Sequence, residues 1–447
     1  MTAERLAAKR SELPTGASPA TGALPASYKW WVVFMLWFVC FFNYADRQAI
    51  ASVLPLLSRD FGFDGVRLGL IGSSFAWVYA ATAPGAGLMA DRIARKRMLV
   101  WACVVWSCFT LATAWCGNLS RFVTVRALTG LGEAFYFPAA MALISDYHGA
   151  RTRSRAMAWH QSAVYAGTIL GSWTAAVLAE RHGWRVPFFV FGPLGFALAL
   201  VLAKCLREPK RGGAEAASDR QTAEVIPLLS VAETLRLILR NPTALLLMAA
   251  FLCANFVAVI FLTWTPTFLV QKFHYAIGAA GLTGTVYIHL ASAVAVPCAG
   301  WLADRLVRRW PTGRMLVQTA GLVAGAVFVL MVGQTDNTHT LLLAMTCFGL
   351  CKGFYDSGIF ASLYDVIEPR ARGTAAGLIN TVGWGGGAVG PLFVGFATKY
   401  GGRASPVENM SNAIAFGSLF YLVAVACLIA AVLLFRKRNR LAQSGPS

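Results

Sequence analysis

The stretch "WWVVFMLWFVCFFNYADRQAIASVLPLL", residues 30–57, decides the fold class of this chain. Its first 13 residues are apolar, but a helix of that length reaches only about 20 Å. The hydrocarbon core of a bilayer is about 30 Å thick. To cross a membrane, the helix must therefore continue through residues 43–47 into the second apolar run. Asp46 and Arg47 then lie within the membrane, where charged side chains are costly and usually face a protein interior or water.

Apolar runs of membrane-spanning length recur along the whole chain. The 447 residues are 57% hydrophobic and only 13% charged, against about 25% charged in an ordinary soluble domain. A helix needs roughly 20 residues to cross a bilayer. We predict twelve such spans, at 30–56, 68–90, 98–116, 121–144, 156–179, 186–206, 243–269, 279–303, 314–333, 340–366, 374–397 and 412–435. The sequence therefore predicts an all-α polytopic membrane protein with twelve transmembrane helices.

The distribution of charge predicts the orientation of these spans. The net charge is +19, and of 39 Lys and Arg residues 28 fall on one side of the predicted membrane, eight on the other and three within spans. This asymmetry follows the positive-inside rule. We therefore expect a multi-pass protein of the cell inner membrane with both termini cytoplasmic, and no nucleic-acid partner. The ten Cys residues show no disulfide or zinc spacing, and we expect neither a metal nor a cofactor.

The chain divides into two similar halves. A polar linker at 207–242 separates a six-span bundle at 30–206 from a second at 243–435, with tails at 1–29 and 436–447. The N-terminal tail lacks the apolar core of a cleavable signal peptide. Within the linker, "SVAETLRLILR" has the pattern of a short amphipathic helix that lies on the membrane surface.

Two motifs occur once in each half. "GLMADRIARKR" (87–97) matches "GWLADRLVRR" (300–309) at a spacing of 213 residues, and "GLGEAFY" (130–136) matches "GLCKGFY" (349–355) at a spacing of 219. At the second spacing, eleven of 42 aligned positions from 130 to 171 are identical. Such duplication is typical of transporters built from parallel repeats, which bind substrate between the repeats near the membrane midplane.

These motifs resemble those of the major facilitator superfamily over nearly the whole chain. The loop at 87–97 matches that superfamily's loop motif, although Ala94 replaces its usual glycine, and Arg126 with the glycines of "GLGEAFY" resembles its helix-4 motif. "NYADR" and "FLTWTPTFLV" (261–270) are similar to the anion:cation symporter family, which includes sugar-acid, sialic-acid and vesicular glutamate carriers. "GEAFYFPAAMALISDY" also resembles the spinster-like branch, whose cargo includes lysolipids. The resemblance implies a secondary transporter made of two pseudo-symmetric six-helix bundles.

Helix 4 supplies a second set of predicted intramembrane charges. Arg126 and Glu133 lie seven residues apart and project from one helical face, and Lys352 occupies the position of Glu133 in the second half. Together with Asp46 and Arg47, these residues indicate one shared cavity. The alternative is a buried ion-pair network that only fixes helix packing, although such pairs add little net stability over apolar packing.

The chemistry of these groups suggests proton-coupled anion transport by alternating access. Arg47 or Arg126 can bind a carboxylate in bidentate geometry at any physiological pH. Asp46 and Glu133 can exchange protons, because burial favours their neutral form and a neighbouring Arg favours their charged form. We predict that protonation releases the arginines to an anion, so that proton and anion bind cooperatively. The family resemblance implies the same roles for both acids.

Other residues are candidates for contact with the substrate because they flank these charges, lie at paired places in helices 5 and 11, or belong to the helix-7 resemblance. They are Tyr44, Tyr79, Gln161, Trp264, Lys352, Tyr355, Asn380 and Trp384. For each of them a packing role is the alternative. Lys352 can attract a second anionic group or pair with Asp356 one turn on. We expect His160 and His289 to be packing or interface histidines.

The duplicated loop motif is a candidate for control of conformation. Its residues are Gly87, Asp91, Arg92, Arg95, Gly300, Asp304 and Arg305. Asp91 and Asp304 follow helices 2 and 8 among arginines. We expect them to pair with loop arginines or helix ends when the cavity opens to the outside, and thus to act as a latch.

Other classes of function are poorly supported. The sequence has no H-E-x-x-H, no Walker A motif and no nucleophile elbow, so we expect neither an enzyme nor an ATP-driven pump. The remaining choice is between a small organic anion, such as a sugar acid, and a lysolipid. The predicted positive cavity and "FLTWTPTFLV" favour the anion. We expect a monomer that carries protons and this anion across the lipid bilayer.

Overall fold

The structure is a computed structural model that describes residues 27–90, 92–209, 231–368, 371–403 and 405–443. Its described residues form α-helices and no β-strand. The helices are α1 (Tyr28–Phe61), α2 (Gly65–Ala90), α3 (Arg95–Thr113), α4 (Leu119–Ala134), α5 (Tyr136–Tyr147), α6 (Ala150–His182), α7 (Val186–Cys205), α8 (Val231–Leu239), α9 (Pro242–Phe273), α10 (Ile277–Val307), α11 (Gly313–Gln334), α12 (Thr338–Asp356), α13 (Ile359–Val366), α14 (Arg372–Gly387), α15 (Val389–Tyr400) and α16 (Pro406–Gln443).

Twelve membrane-spanning segments follow from these helices. Seven are long and apolar enough to cross a membrane by length and composition alone: Leu119–Tyr147, Thr152–His182, Val186–Cys205, Pro242–Phe273, Ile277–Val307, Gly313–Gln334 and Pro406–Arg438. The other five are α1, α2, α3, the pair α12 and α13, and the pair α14 and α15, whose small, polar or charged residues lower their hydropathy. The predicted all-α fold, with two six-helix bundles, is confirmed.

The internal repeat extends to the caps and breaks of the helices. Asn118 and Asn337 cap α4 and α12, each side-chain oxygen accepting a hydrogen bond from the backbone N–H three residues on, at 2.9 and 3.1 Å. Such a cap satisfies one of the free N–H groups at a helix N-terminus. Both spans are then interrupted, at Phe135 in the first half and before Ile359 in the second. The first interruption lies two residues after Glu133 and the second lies within two turns of Lys352, its equivalent in the repeat.

The two halves touch at one end of the molecule. We call the end where α1 begins and α16 ends the tail face, and the opposite end the far face. Near the far face, α2 packs on α15 and α6 packs on α10. An ideal Cβ placed on Gly69 would lie 2.5 Å from the Pro391 carbonyl oxygen, and one on Gly281 would lie 2.4 Å from the Ala176 Cβ. The backbones therefore approach so closely that only glycine fits.

Toward the tail face the halves separate. Gly85 and Gly87 of α2, Gly300 of α10, and Gly377 and Gly385 of α14 would each accept a Cβ with no other atom of the described chain within 4 Å. The same helices that are closely packed at one end therefore diverge at the other. The space between the halves is closed at the far face and opens toward the tail face.

Polar contacts reinforce the closed far face. Lys399 at the end of α15 donates to a carboxylate oxygen of Asp64 at 2.8 Å, across the two halves. The Gly278 N–H at the start of α10 donates to Glu180 of α6 at 2.6 Å. Burial raises the pKa of Asp64, but hydrogen bonds from Lys399 and the Arg67 N–H outweigh it and bring that pKa below its usual range. The ionised form of Asp64 thus favours closure.

Gly69→Ala should shift the protein toward a conformation that is open at the far face, because the added methyl group overlaps the Pro391 carbonyl. An Ala51→Cys reporter on α1, which faces the space between the halves, should then react several-fold faster with a membrane-impermeant thiol reagent added at the far face. Gly85→Ala, on the same helix with open space around it, is the matched control. Equal labelling of both variants would contradict backbone contact as the cause of closure.

Asp64→Asn should also favour opening at the far face, by about two- to fivefold, as expected for a partly exposed ion pair. In the wild type, the contribution of Asp64 is complete above the ordinary aspartate pKa of about 3.9 and is lost as pH falls through the lowered value. Neutral and mildly acidic pH should therefore leave this contact intact. The same labelling assay measures the shift. Asp60→Asn, which removes only a local pair with Arg59, should have no effect; a shift there would indicate a general charge effect.

Candidate functional site

A cavity of about 220 Å³ lies between the halves. Helices α1, α2, α4 and α6 form its wall in the first half, and α9, α10, α12 and α14 form the wall in the second. Six of the residues predicted to contact substrate line it: Tyr44, Arg47, Arg126, Gln161, Lys352 and Trp384. Both halves thus contribute charged and aromatic side chains to one chamber.

An ion pair between α1 and α4 forms one side of the cavity. The Arg47 Nε donates to Glu133 Oε2 at 2.5 Å, and the two side chains are 8% and 0% exposed. The Glu133 Oε1 and the Arg47 Nη1 find no hydrogen-bond partner in the described chain. Each member of the pair therefore keeps an unused polar atom, and the arginine can still bind a second oxygen.

Four aromatic rings surround the Arg47 guanidinium. Its central carbon lies 4.7 Å from the ring of Tyr44, 5.0 Å from Phe75, 4.8 Å from Tyr79 and 5.5 Å from Trp384. Cation–π attraction of this kind is stronger where water is excluded. Since α14 supplies Trp384 and the other rings come from α1 and α2, the second half helps to hold an arginine of the first.

Asp46 and Arg126 lie near this pair but have fewer partners. Asp46 is buried, and one carboxylate oxygen accepts a hydrogen bond from Thr110 at 3.2 Å while the other has no partner in the described residues. Arg126 is also buried, and its guanidinium lies 5.0 Å from the Phe75 ring. Within the parts of the chain that the structure describes, Arg126 forms no hydrogen bond or ion pair. It is a cation in the cavity wall.

The second half contributes its own charged pair. Lys352 donates to Asp356 one turn further along α12, and both line the cavity. Of the two alternatives for Lys352, this contact agrees with internal pairing, yet the ammonium still faces the cavity. Tyr165 and His289 lie beside it in the wall, with ring centroids 6.4 Å apart. His289 therefore lines the cavity between the halves, which agrees with the interface alternative and not with packing inside one bundle.

Four predicted contact residues are not in the cavity wall. Tyr79 stands behind Arg47 and reaches the Trp384 ring at 5.3 Å. Trp264 is buried and donates its Nε1–H to the Pro391 carbonyl at 3.0 Å. Tyr355 is buried within the second half, and Asn380 of α14 is half-buried away from the cavity. Their placement favours packing or positioning roles.

Sequence reasoning missed several wall residues. They are Gln48, Phe75, Tyr165, Asn255, Thr263 and His289. Asn255 carries a buried amide nitrogen without a partner in the described chain. Gln48 directly follows Asp46 and Arg47, and this position next to the charged pair could have identified it as a wall residue. The other five are single polar or aromatic residues in long apolar helices, where no sequence signal marks them.

The duplicated loop motif lies at the tail face. Gly87 and Gly300 face open space, and Arg92 is exposed. Arg305 lies over the Trp301 ring at 5.6 Å. Asp91 lies outside the described residues. The latch therefore remains a prediction for the conformation that opens at the far face.

Beside this motif, each half contains an equivalent ion pair. Arg95 of α3 pairs with Asp146 of α5, and Arg314 of α11 donates to Asp365 of α13 at 2.7 and 3.0 Å. The second pair follows the first by 219 residues at both positions. Arg314 also donates to Asp304 of the loop motif at 3.1 Å. It therefore links that motif to Asp365 at the end of α13, the last helix of the chain's tenth span.

The arrangement combines groups that can bind an anion with carboxylates that can accept a proton, and neither requires covalent chemistry. Arg126, the free Nη1 of Arg47 and the Lys352 ammonium surround the chamber. Asp46 and Glu133 can each accept a proton. An enclosed site between two repeats, closed at one face and opening toward the other, defines a secondary transporter that works by alternating access.

Comparison with known proteins agrees with this architecture. The family model described as "Major Facilitator Superfamily" matches residues 36–391 and 280–447. The chain belongs to the major facilitator superfamily, and it is a transporter and not an enzyme.

Similar proteins include transporters of anions. The chain is 30% identical over 390 residues to "Sodium-dependent phosphate transport protein 1, chloroplastic" of Arabidopsis thaliana, covering 83% of this chain and 74% of that protein. It is 28% identical over 435 residues to the "Probable galactarate/D-glucarate transporter" of Bacillus subtilis, covering 92% and 94%. A solved bacterial homologue of the human lysosomal transporter Spinster superposes with a TM-score of 0.81 at 20% identity, covering 93% and 99%. At that identity the superposition establishes the shared fold.

Trp264→Phe should lower stability and leave substrate binding nearly unchanged. The change removes the hydrogen bond that the buried indole N–H donates to the Pro391 carbonyl, a net loss of about 0.5–1.5 kcal/mol. The midpoint of thermal unfolding should fall, while the dissociation constant for substrate changes less than about twofold. Trp384→Phe, in the cavity wall, is the comparison and should weaken binding. A large loss of affinity in Trp264→Phe would place that indole in contact with the substrate.

Proposed function

We propose that this chain is a proton-coupled symporter of a small organic anion that carries a carboxylate, with a sugar acid as the favoured class. The observation that supports this most directly is Arg126, a buried cation in the wall of the central cavity with no ion pair in the described chain. Asp46 and Glu133 lie close enough to attract this charge, but a buried cation without a hydrogen-bonded counter-ion is costly. An anionic substrate supplies the missing partner.

The ion pair between Arg47 and Glu133 supports coupling to protons. With Glu133 ionised, Arg47 is held at 2.5 Å and its charge is neutralised. A proton on Glu133 removes the negative member, so Arg47 becomes available to a substrate carboxylate. By linkage, a bound anion strengthens proton binding to the same extent. Proton and anion then load the cavity together.

Asp46 is the second proposed proton site. Its carboxyl is buried with one hydrogen bond and no ion pair in the described chain. A carboxylate charge in such a place is costly unless a cation approaches. Asp46 therefore takes up a proton when Arg126 turns to substrate and releases it when that arginine is free.

The size and lining of the cavity favour a compact polar anion over a lipid. Its volume of about 220 Å³ lies below the 300–1,000 Å³ typical of pockets for drug-sized ligands. Gln161, Asn255 and Tyr44 can hydrogen-bond hydroxyl groups, as a sugar acid requires. Relatives named for galactarate, D-glucarate and ascorbate transport support the same class. For the four predicted residues outside the cavity wall we propose supporting roles without substrate contact: Tyr79, Trp264, Tyr355 and Asn380.

The orientation in the membrane follows from charge. Because 28 of the 39 basic residues lie toward the tail face by the predicted topology, we place that face in the cytoplasm of a cell whose inner membrane holds the protein. The present conformation is then open to the inside. One chain contains the whole cavity, and we propose that the monomer is the working unit.

Glu133→Gln and Asp46→Asn should abolish uptake driven by a proton gradient while sparing exchange of labelled substrate between two compartments. Exchange requires binding and turnover but no net proton movement. Reconstituted vesicles with an imposed proton gradient measure both reactions. Asp356→Asn, the same change at the carboxylate of the second half, is the matched control and should keep proton-driven uptake. Undiminished uptake in Glu133→Gln and Asp46→Asn would reject the coupling.

The substrate class is tested separately by thermal stabilisation of the purified wild type and Arg126→Gln. Sugar acids, dicarboxylates, phosphate and lysolipids form the panel, because one relative is named for sodium-dependent phosphate transport. We expect a sugar acid to stabilise the wild type and to lose at least about tenfold in affinity with Arg126→Gln, since a charge-assisted bidentate bond is removed. Stabilisation by lysolipid alone would replace the anion with a lipid cargo, and uptake driven by sodium would replace the proton.

A further inference from the structure

A second cavity lies at the tail face of the second half, outside the transport site. It measures about 800 Å³ and is bounded by α8, the start of α9, the end of α13 and the end of α16. None of these parts belongs to the wall of the central cavity. A role in carrying the substrate therefore does not account for it.

Four cations line this cavity. Arg236 and Arg240 come from α8 and the residue after it, and Lys437 and Arg438 come from α16. All four are exposed, and no ion pair holds any of them in the described part of the chain. Their positive charge is available to a ligand.

One of the three carboxylates of the same cavity, that of Asp365, is held in an ion pair. Asp365 accepts two hydrogen bonds from Arg314. Glu233 and Glu368 also have interaction partners. Four cations against three acids, one of which is paired with Arg314, give the cavity an excess of positive charge that favours an anion.

Helix α8 has the residue pattern of a helix that lies at a membrane surface. Ile238 is fully buried against the bundle, whereas Leu235 and Leu239, one turn apart, are 38% and 52% exposed. Arg236 and Arg240 form the neighbouring stripe, also one turn apart. A helix with an exposed apolar edge beside a basic edge places leucines among acyl chains and arginines among headgroups.

We propose that this cavity binds the phosphate-bearing headgroup of an anionic membrane lipid. Arginines hold phosphate oxygens through paired N–H groups, and Lys437 and Arg438 close on the headgroup from the opposite side. Leu434, which lines the cavity and is 38% exposed, offers an apolar surface to the attached chains. That combination of phosphate and apolar surface commits the site to a lipid over a soluble phosphate.

The test compares lipid binding by native mass spectrometry of the purified full chain, with no transported substrate present. Phosphatidylglycerol and phosphatidylcholine of equal chain length are the probes. Arg236→Gln with Arg240→Gln, and separately Lys437→Gln with Arg438→Gln, should each weaken phosphatidylglycerol binding by at least about fivefold. Phosphatidylcholine binding should not change. The matched control is Arg308→Gln with Arg309→Gln, which removes two exposed charges from the same face.

Three results would overturn the proposal. One is equal phosphatidylglycerol affinity in the wild type and both double variants. Another is the same loss in the Arg308 and Arg309 control, which would indicate general surface charge. The third is full displacement of the lipid by millimolar inorganic phosphate, which would assign the site to a soluble anion. Arg236→Lys with Arg240→Lys should retain most of the binding, which separates loss of charge from loss of folding. Lipid binding is independent of transport, so its failure leaves the transport proposal untouched.

Discussion

The buried ion pair between Arg47 and Glu133 is the interaction on which the site depends. Removing two charges from water costs several kcal/mol per ion, and attraction between them offsets that only when the geometry is close. The 2.5 Å contact supplies close geometry, while Glu133 Oε1 and Arg47 Nη1 stay unpaired in the described chain, so part of the cost remains. It ties α1 to α4 at mid-depth, in the region where the aromatic rings exclude water. Any event that neutralises one member leaves the other exposed to the full cost of its burial, so the cavity must then rearrange or take in a counter-ion.

The two halves use one duplicated framework for different electrostatic tasks. In the first half the paired charges lie on separate helices, so a change in their pairing can alter how α1 and α4 approach. In the second half Lys352 and Asp356 lie one turn apart on α12, so breaking their contact need not move any helix. We infer that proton-linked movement belongs mainly to the first half. The second half then supplies a steady wall, including the Trp384 ring near Arg47.

The sequence predicts most of the fold because its signals are long-range and redundant. Twelve apolar runs and a repeat at a spacing of 219 residues both give two bundles, and charges within an apolar run are rare enough to mark the site. Asp46, Arg47, Arg126 and Glu133 do gather around one chamber. Their exact pairing was not predictable, since four charges on two helices allow several combinations. Only side-chain geometry assigns Glu133 to Arg47 and leaves Arg126 free.

Single polar residues were harder to assign. A helix with apolar residues all round has no face that sequence periodicity can identify, so Tyr165 and His289 could not be assigned to the cavity and Trp264 could not be removed from it. The interruptions at Phe135 and before Ile359 do carry local signals: Pro138 lacks the N–H that would bond the carbonyl of Ala134, where α4 ends, and Gly358 directly precedes α13. A proline or glycine inside a transmembrane span does not by itself predict a break, because such spans tolerate both residues. Asp146 and Asp365 occupy equivalent positions of the repeat at its 219-residue spacing, yet their arginine partners are evident only from the fold.

The glycine contacts at the far face have a consequence for leakage. A barrier made of side chains opens whenever a rotamer changes, on the timescale of nanoseconds. At Gly69 the barrier consists of main chain against main chain, and at Gly281 of main chain against the Ser172 carbonyl and the Ala176 methyl group. Neither a helix backbone nor an alanine has a rotamer to change. Small ions can then pass only when an entire six-helix unit rotates, which is far slower. A carrier with this kind of closure can hold a steep ion gradient across itself while idle.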